Sequence, residues 1–283
     1  MMNDPMNIKF ICVHIMLFIV IYLFFVILSS KSKAIEIREC ANKIISKFGN
    51  MNENNGIYTA IIIEPRKHIA LSYVLKNFTS MLDNKWNFII FHGKQNEDFV
   101  KKIIDKLNQK KRIKTINLGV DNLSIHDYNA LLYDKSFYDY IPTEIFLIFQ
   151  TDTLICELFK NNIDKFLEYD YVGAPWTNGK IGNGGLSLRK KSKMLDTIDK
   201  CGDRRFQFYL KLHNEDSFFS TLCNDKVKLK KPSFEDAKKF SIETVYNDES
   251  FGVHKCWEYN DKQQINNINK FCPGLKKLIY LNK

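Results

Sequence analysis

The stretch that most constrains the fold is Ile145–Phe149, an unbroken apolar run that stops at Gln150-Thr151-Asp152-Thr153 before Leu154 and Ile155. A run so short and so rich in Ile and Phe fits a strand buried on both faces. In open α/β sheets, ligands bind beyond the carboxyl ends of such strands. Asp152 is expected where this strand leaves the sheet. A carboxylate there can hold a divalent cation, and the cation can hold phosphate oxygens. An aspartate at a strand end can equally be a turn or N-cap residue.

The preceding segment supports a covered sheet. Ile57–Ile63 reads as a buried strand stopped by Glu64-Pro65-Arg66, and Leu71, Val74, Leu75, Phe78 and Leu82 recur at helical spacing. Trp86–Phe91 is a second strand, and Ile113–Leu118 a third. Between them Asn96 is expected to cap a helix that buries Phe99, Val100, Ile103, Ile104 and Leu107. This alternation predicts an α/β fold with a mostly parallel central sheet flanked by helices.

After Asp152 the pattern is irregular. Tyr169–Trp176 leads into the glycine-rich turn Gly179–Gly185, and Leu186–Arg189 reads as a short strand. Arg189-Lys190-Lys191 reads as a solvated helix start, with phosphate contact as the alternative. Glu215-Asp216 precedes an apolar helix, where two acids suit the helix dipole. Ser233 is expected to cap a further helix.

Phe10–Leu28 is apolar apart from His14, long enough to cross a bilayer, and followed by Lys31 and Lys33. It is read as an uncleaved signal anchor, with a cleaved signal peptide as the alternative. The expected organisation is a tail over 1–9, a membrane helix over 10–28, a stem over 29–55 and one domain over 56–283. A type II, single-pass protein of this plan carries its domain on the lumenal or extracytoplasmic side. The net charge of +10 comes from scattered lysines without a nucleic-acid-binding motif, so no nucleic-acid partner is expected. The seven cysteines form no C-x-x-C pair, which argues against a zinc site. Cys256 and Cys272 can pair in an oxidising lumen or remain free thiols. Asn77-Phe78-Thr79 and Asn122-Leu123-Ser124 are N-glycosylation sequons, the first within an expected helix.

Taken in order, Asp152, Asn183-Gly184-Gly185-Leu186-Ser187, Glu215-Asp216 and Gly252-Val253-His254 resemble the pattern of GT-A glycosyltransferases, and of metal-dependent inverting galactosyltransferases in particular. Together with Glu64-Pro-Arg, Phe149-Gln-Thr-Asp and Val172-Gly-Ala-Pro-Trp, they look like an uncharacterised glycosyltransferase-like family of microbes and large DNA viruses. The resemblance covers roughly Ile57 to Trp257. It implies a membrane-anchored transferase moving a sugar from a nucleotide-sugar donor, a UDP-sugar first, to a glycan or glycoprotein acceptor.

The same resemblance implies residue roles. Asp152 and His254 would hold Mn²⁺ or Mg²⁺ on the donor diphosphate, next to Thr151. Pro65 and Arg66, with Glu64, would meet the nucleotide. Gly184 and Gly185 would let backbone approach the sugar, and Trp176 would offer a flat face to the acceptor. Asp216 would be the catalytic base, and Glu215 would hold an acceptor hydroxyl or the base itself. Gln150 and Ser217 stand where the family pattern has acids. They motivate a second reading, a non-catalytic nucleotide- or glycan-binding protein on the same fold. A metal phosphoesterase is a third, which six histidines support poorly.

Overall fold

A computed structural model describes residues 56–202 and 214–283, all within one compact unit spanning Asn50–Lys283. The expected tail, membrane helix and stem lie outside the described residues. Among the described residues, no helix is long and apolar enough to cross a membrane.

The first half follows the periodicity. Strand β1 (Tyr58–Ile63) leads through helix α1 (Leu71–Met81) to β2 (Trp86–His92), and helix α2 (Glu97–Ile104) leads to β3 (Ile113–Asn117). Helix α3 (Ile125–Tyr133) and a 3₁₀ segment then return the chain to β4 (Ile145–Ile148). β1 pairs in parallel with β2 on one side and β4 on the other. The chain therefore winds outward from β1 to β3 and comes back to β1's opposite flank. Such a reversal opens a crevice at the carboxyl ends of the two strands. α1 buries Leu71, Val74, Leu75 and Phe78, and Phe78 stacks on Phe149 with ring centroids 4.0 Å apart.

Asn96 does not cap α2 with its side chain. Its Oδ1 accepts from Gly93 N, and its Nδ2 donates to the carbonyls of Glu64 and Arg66. It ties the turn after β2 to the turn after β1, which satisfies more backbone groups than a cap would.

β4 ends at Ile148, and Asp152 lies in the turn to β5 (Thr153–Ile155), which belongs to a second sheet. The remaining strands among the described residues are β6 (Tyr171–Gly173), β7 (Ser187–Lys190), β8 (Ser241–Ile242) and β9 (Gly252–His254). The main sheet runs β3-β2-β1-β4-β7-β6, with β7 antiparallel to both neighbours. The small sheet runs β5-β9-β8. Among the described residues, the other α-helices are α4 (Lys191–Cys201), α5 (Glu215–Ser217), α6 (Phe234–Phe240), α7 (Lys262–Phe271) and α8 (Leu275–Leu281). Ser233 caps α6, its hydroxyl accepting from Asp236 N.

Two expectations are corrected. Cys272 pairs with Cys156, not Cys256, and Cys201 pairs with Cys223. Cys256 is a free buried thiol, its pKa pushed by burial to about 12. Arg189 is not at a solvated helix start but fully buried on β7. Its guanidinium lies 4.9 Å from the Tyr171 ring centroid, because the β6–β7 register sets those two residues side by side.

Candidate active site

The site lies at the carboxyl ends of β1 and β4, where the main sheet meets the small one. Glu64, Pro65 and Arg66 form the turn after β1. The Arg66 guanidinium donates to both oxygens of buried Glu64 at 2.8 Å, and Arg66 N donates to Oε1 at 2.9 Å. The Glu64 hydrogen bonds raise the Arg66 pKa, and Asp152 adds to the rise. The Arg66 side chain remains 56% exposed, a fixed cation at the crevice edge.

The Asp152 turn is fastened from several sides. The Thr153 hydroxyl donates to Gln150 O at 2.7 Å, and Lys255 N donates to Asp152 O at 3.0 Å. Asn282 Nδ2 donates to Thr151 O, also at 3.0 Å. Asn77 holds Ile155 through both its amide N–H and its carbonyl. Gln150 Nε2 donates to Tyr128 Oη at 3.4 Å.

His254 ends β9, the middle strand of the small sheet. On one side β9 pairs with β5, setting Thr153 opposite His254 and bringing Asp152 alongside. On the other side it pairs with β8 at Ile242↔Val253, so Glu243 falls beside His254. The imidazole thus sits between two carboxylates: Nε2 is 3.5 Å from Asp152 Oδ1, and Nδ1 is 3.2 Å from Glu243 Oε1. Burial opposes charge on the ring, but Glu243 and then Asp152 outweigh it and raise the pKa.

Asp152 Oδ1 is buried and makes no hydrogen bond. An orphaned carboxylate oxygen beside an imidazole nitrogen suits a small divalent cation, which binds such atoms at about 2.1 Å. Among the described residues, no group of three or more His, Cys, Asp or Glu side chains is arranged to hold a metal ion by itself. Asp152 and His254 would therefore supply two ligands, leaving the rest to diphosphate oxygens and water.

The glycine-rich segment joins this half of the site to the acidic half. Asn183 Nδ2 donates to Glu243 Oε1 at 2.8 Å, and its Oδ1 accepts from Gly185 N. Gly184 N donates to Asp216 Oδ2 at 3.3 Å. A Cβ on Gly185 would run into the His254 ring, and one on Gly184 would run into Glu215, Arg189 and Asp216. The space that these glycines leave is taken by the site's own side chains.

Asp216 follows Glu215 at the start of α5. Glu215 is held by buried Arg189 through a fork of 2.6 and 3.0 Å, and its backbone N–H donates to Asn129 Oδ1. Both Glu215 oxygens thus face the guanidinium. Asp216 Oδ1 accepts from Ser217 N at 2.6 Å and from Ser217 Oγ at 3.3 Å. Ser217, where the family pattern has an acid, supports Asp216 with these two donors. Burial first, and the Glu215 charge second, push the Asp216 pKa up to about 6. That value suits a general base working near neutral pH.

Trp176 lies half-buried in the turn closed by the Pro175–Ile181 bridge, next to Gly182. Sequence reasoning missed Glu243, Tyr128 and the true position of Arg189. It also passed over His68, whose Nδ1 accepts from Ala70 N and which lies within electrostatic reach of Asp152.

The family described as "Protein of unknown function (DUF5672)" matches residues 111–254. No curated protein matches the chain. Among solved structures, it is similar to the galactosyltransferase LgtC in complex with donor and acceptor sugar analogues, at 12% identity and a TM-score of 0.50. That match covers 78% of this chain and 94% of LgtC. An active-site mutant of LgtC matches at 13% identity and 0.52, covering 79% and 95%. The mannosyltransferase PcManGT from Pyrobaculum calidifontis, in complex with GDP-Man and Mn²⁺, matches at 13% and 0.46, covering 72% of this chain and 63% of its own. The two LgtC structures establish a GT-A-like fold; the third overlap is too loose to add to it.

Proposed function

For this chain, which belongs to the family described as "Protein of unknown function (DUF5672)", we propose a nucleotide-sugar-dependent glycosyltransferase activity. The observation that carries the reading is the convergence of Asp152, His254, Gly184-Gly185 and Asp216 at the switch point of the main sheet. The GT-A-like fold is consistent with it.

In this reading Asp152 and His254 hold Mn²⁺ or Mg²⁺, with Thr151 in the same turn. The cation, when bound, neutralises charge gathering on the departing nucleoside diphosphate. Glu64, Pro65 and Arg66 bind the nucleotide, Arg66 as a cation pre-oriented by Glu64. Trp176 offers its face to the acceptor sugar. Asp216 accepts the proton of the acceptor hydroxyl as that oxygen attacks the anomeric carbon, and one in-line displacement inverts the configuration. Arg189 and Glu215 keep Asp216 in position. The donor is a UDP-sugar, and the acceptor a glycan or glycoprotein. The domain is tethered by residues 10–28 and faces the lumen or exterior, a setting in which the two disulfides form readily.

The test is a panel of UDP-, GDP- and CMP-sugars with the full chain, with and without Mn²⁺, beside Asp152→Ala and Asp216→Asn. Metal-dependent cleavage of one donor is expected, lost in Asp152→Ala. Asp216→Asn is expected to bind nucleotide yet fail to transfer; normal turnover by this variant would remove the base assignment. The Gln150 amide, turned to Tyr128, favours one other reading: a nucleotide- or glycan-binding protein without turnover. Saturable binding with no sugar release across donors and acceptors would establish it.

A further inference from the structure

Glu243 lies outside every motif in the sequence, yet it is buried and makes three defined contacts. Its Oε1 faces His254 Nδ1 at 3.2 Å and accepts from Asn183 Nδ2 at 2.8 Å, while its backbone carbonyl accepts from Asn260 Nδ2. Asn260 is itself buried and also bonds Cys256 O. The carboxylate is therefore fixed before any ligand arrives. A carboxylate only accepts, and of the two ring nitrogens Nδ1 lies nearer to one, 3.2 Å from Glu243 against 3.5 Å from Asp152 for Nε2, so the single proton of a neutral ring is better held on Nδ1. In a neutral imidazole this leaves the lone pair on Nε2, the atom 3.5 Å from the orphaned Asp152 Oδ1.

From this geometry we infer that Glu243 is a positioning residue: it holds His254 as the Nδ1–H tautomer and aims the Nε2 lone pair beside Asp152 Oδ1, forming a two-point seat for a divalent cation. Free neutral histidine prefers the opposite tautomer, so a partner must impose this one. Carboxylates behind metal-binding imidazoles do this, and their loss costs roughly 10–100-fold in metal affinity. The cation part rests on the metal site proposed above, whereas the tautomer does not. Asn183 extends the arrangement. Its carbonyl holds Gly185 N, and Gly185 lies against the Nε2 end of the ring, so the ring is held at both ends.

The test uses the full chain and two readouts. ¹⁵N-histidine spectra of the metal-free protein, recorded at a pH where the ring is neutral and assigned with His254→Asn, report which ring nitrogen carries the proton. The expected result is Nδ1–H in the wild type and Nε2–H in Glu243→Ala. Glu243→Gln should retain Nδ1–H, because the two side-chain contacts converge on Oε1, which an amide carbonyl reproduces. Mn²⁺ affinity in the presence of UDP, read from the paramagnetic signal of free Mn²⁺, should fall roughly 10–100-fold in Glu243→Ala and recover in Glu243→Gln. Nε2–H in the wild type, or an unchanged tautomer in Glu243→Ala with its fold intact by circular dichroism, overturns the inference. So does undiminished Mn²⁺ affinity in Glu243→Ala. If Glu243→Ala switches the tautomer but the wild type binds no Mn²⁺, the metal reading is refuted instead and Glu243 keeps its orienting role.

Discussion

Replacing Gly185 by alanine adds one methyl group at the centre of the site. The new Cβ would lie 2.6 Å from His254 Cδ2, and closer still to Cε1 and Nε2. Three ring atoms are met at once, so the ring cannot escape by a small twist. To restore ordinary carbon contacts it must retreat by roughly 1 Å. Glu243 stands on its other edge at 3.2 Å and is itself fixed by Asn183 and Asn260. The retreat therefore breaks the alignment of Nε2 with Asp152 Oδ1. Overpacking of this kind costs about 1–3 kcal/mol of stability, and a misplacement near 1 Å costs about 100-fold in rate. The assays are thermal unfolding, Mn²⁺ affinity with UDP, and donor turnover. Gly179→Ala serves as the control. That glycine has a φ of +81° but nothing within 4 Å of an added Cβ, so only backbone strain of about 1–2 kcal/mol is expected there, with metal affinity intact. If Gly185→Ala kept both its Mn²⁺ affinity and its turnover, the packing of His254 against this glycine would have no part in function.

Gly184→Ala should divide the site differently. Its Cβ meets Glu215, Arg189 and Asp216, so transfer should fall by at least tenfold while Mn²⁺ affinity stays near wild type. Titrating activity should show an acid limb near pH 6: Asp216 works as a base only when ionised, so kcat/KM rises as pH passes its raised pKa. The stability effect has the opposite sign, since the folded state holds this proton more tightly than the unfolded chain. Asp216's contribution is fully present below about pH 4 and is lost as pH rises towards 6. Arg189→Met should destabilise by about 3–5 kcal/mol in denaturant titrations, because it leaves Glu215 buried without its counter-charge; a change below about 1 kcal/mol would refute the buried pair. Unfolding without reductant should leave Cys156, Cys201, Cys223 and Cys272 protected from alkylation and Cys256 reactive, as read by peptide mass spectrometry.

The first half of the fold was legible because its signals are local. α1 announces itself through Leu71, Val74, Leu75 and Phe78, and β1, β2 and β4 through apolar runs that a buried parallel strand requires. The second half was less legible because its contacts are distant in sequence. Beside Lys190 and Lys191, Arg189 looks like part of a solvated basic run; only the pairing of β7 with β6 buries it on Tyr171 and gives it Glu215. Glu243 carries no motif, and its place beside His254 follows from the β8–β9 register alone. The partner of Cys272 lies 116 residues earlier in the chain, a separation that no local spacing encodes. Asn96 shows the converse. Its place before a helical run suggests a local cap, but the two turns it joins offer more bonds.

The Asn77 side chain has a consequence for how the chain is made. Asn77-Phe78-Thr79 is a formal glycosylation signal, yet both amide atoms of Asn77 are bonded to Ile155 and Thr79 is buried. Once folded, the protein offers nothing there for an oligosaccharyltransferase to grasp. A glycan could be attached only before β5 docks on α1, and it would then keep β5, the strand that follows Asp152, from docking. In a host that glycosylates nascent chains, folding and modification compete for one side chain, and the fraction of molecules carrying sugar at Asn77 measures how often folding comes second.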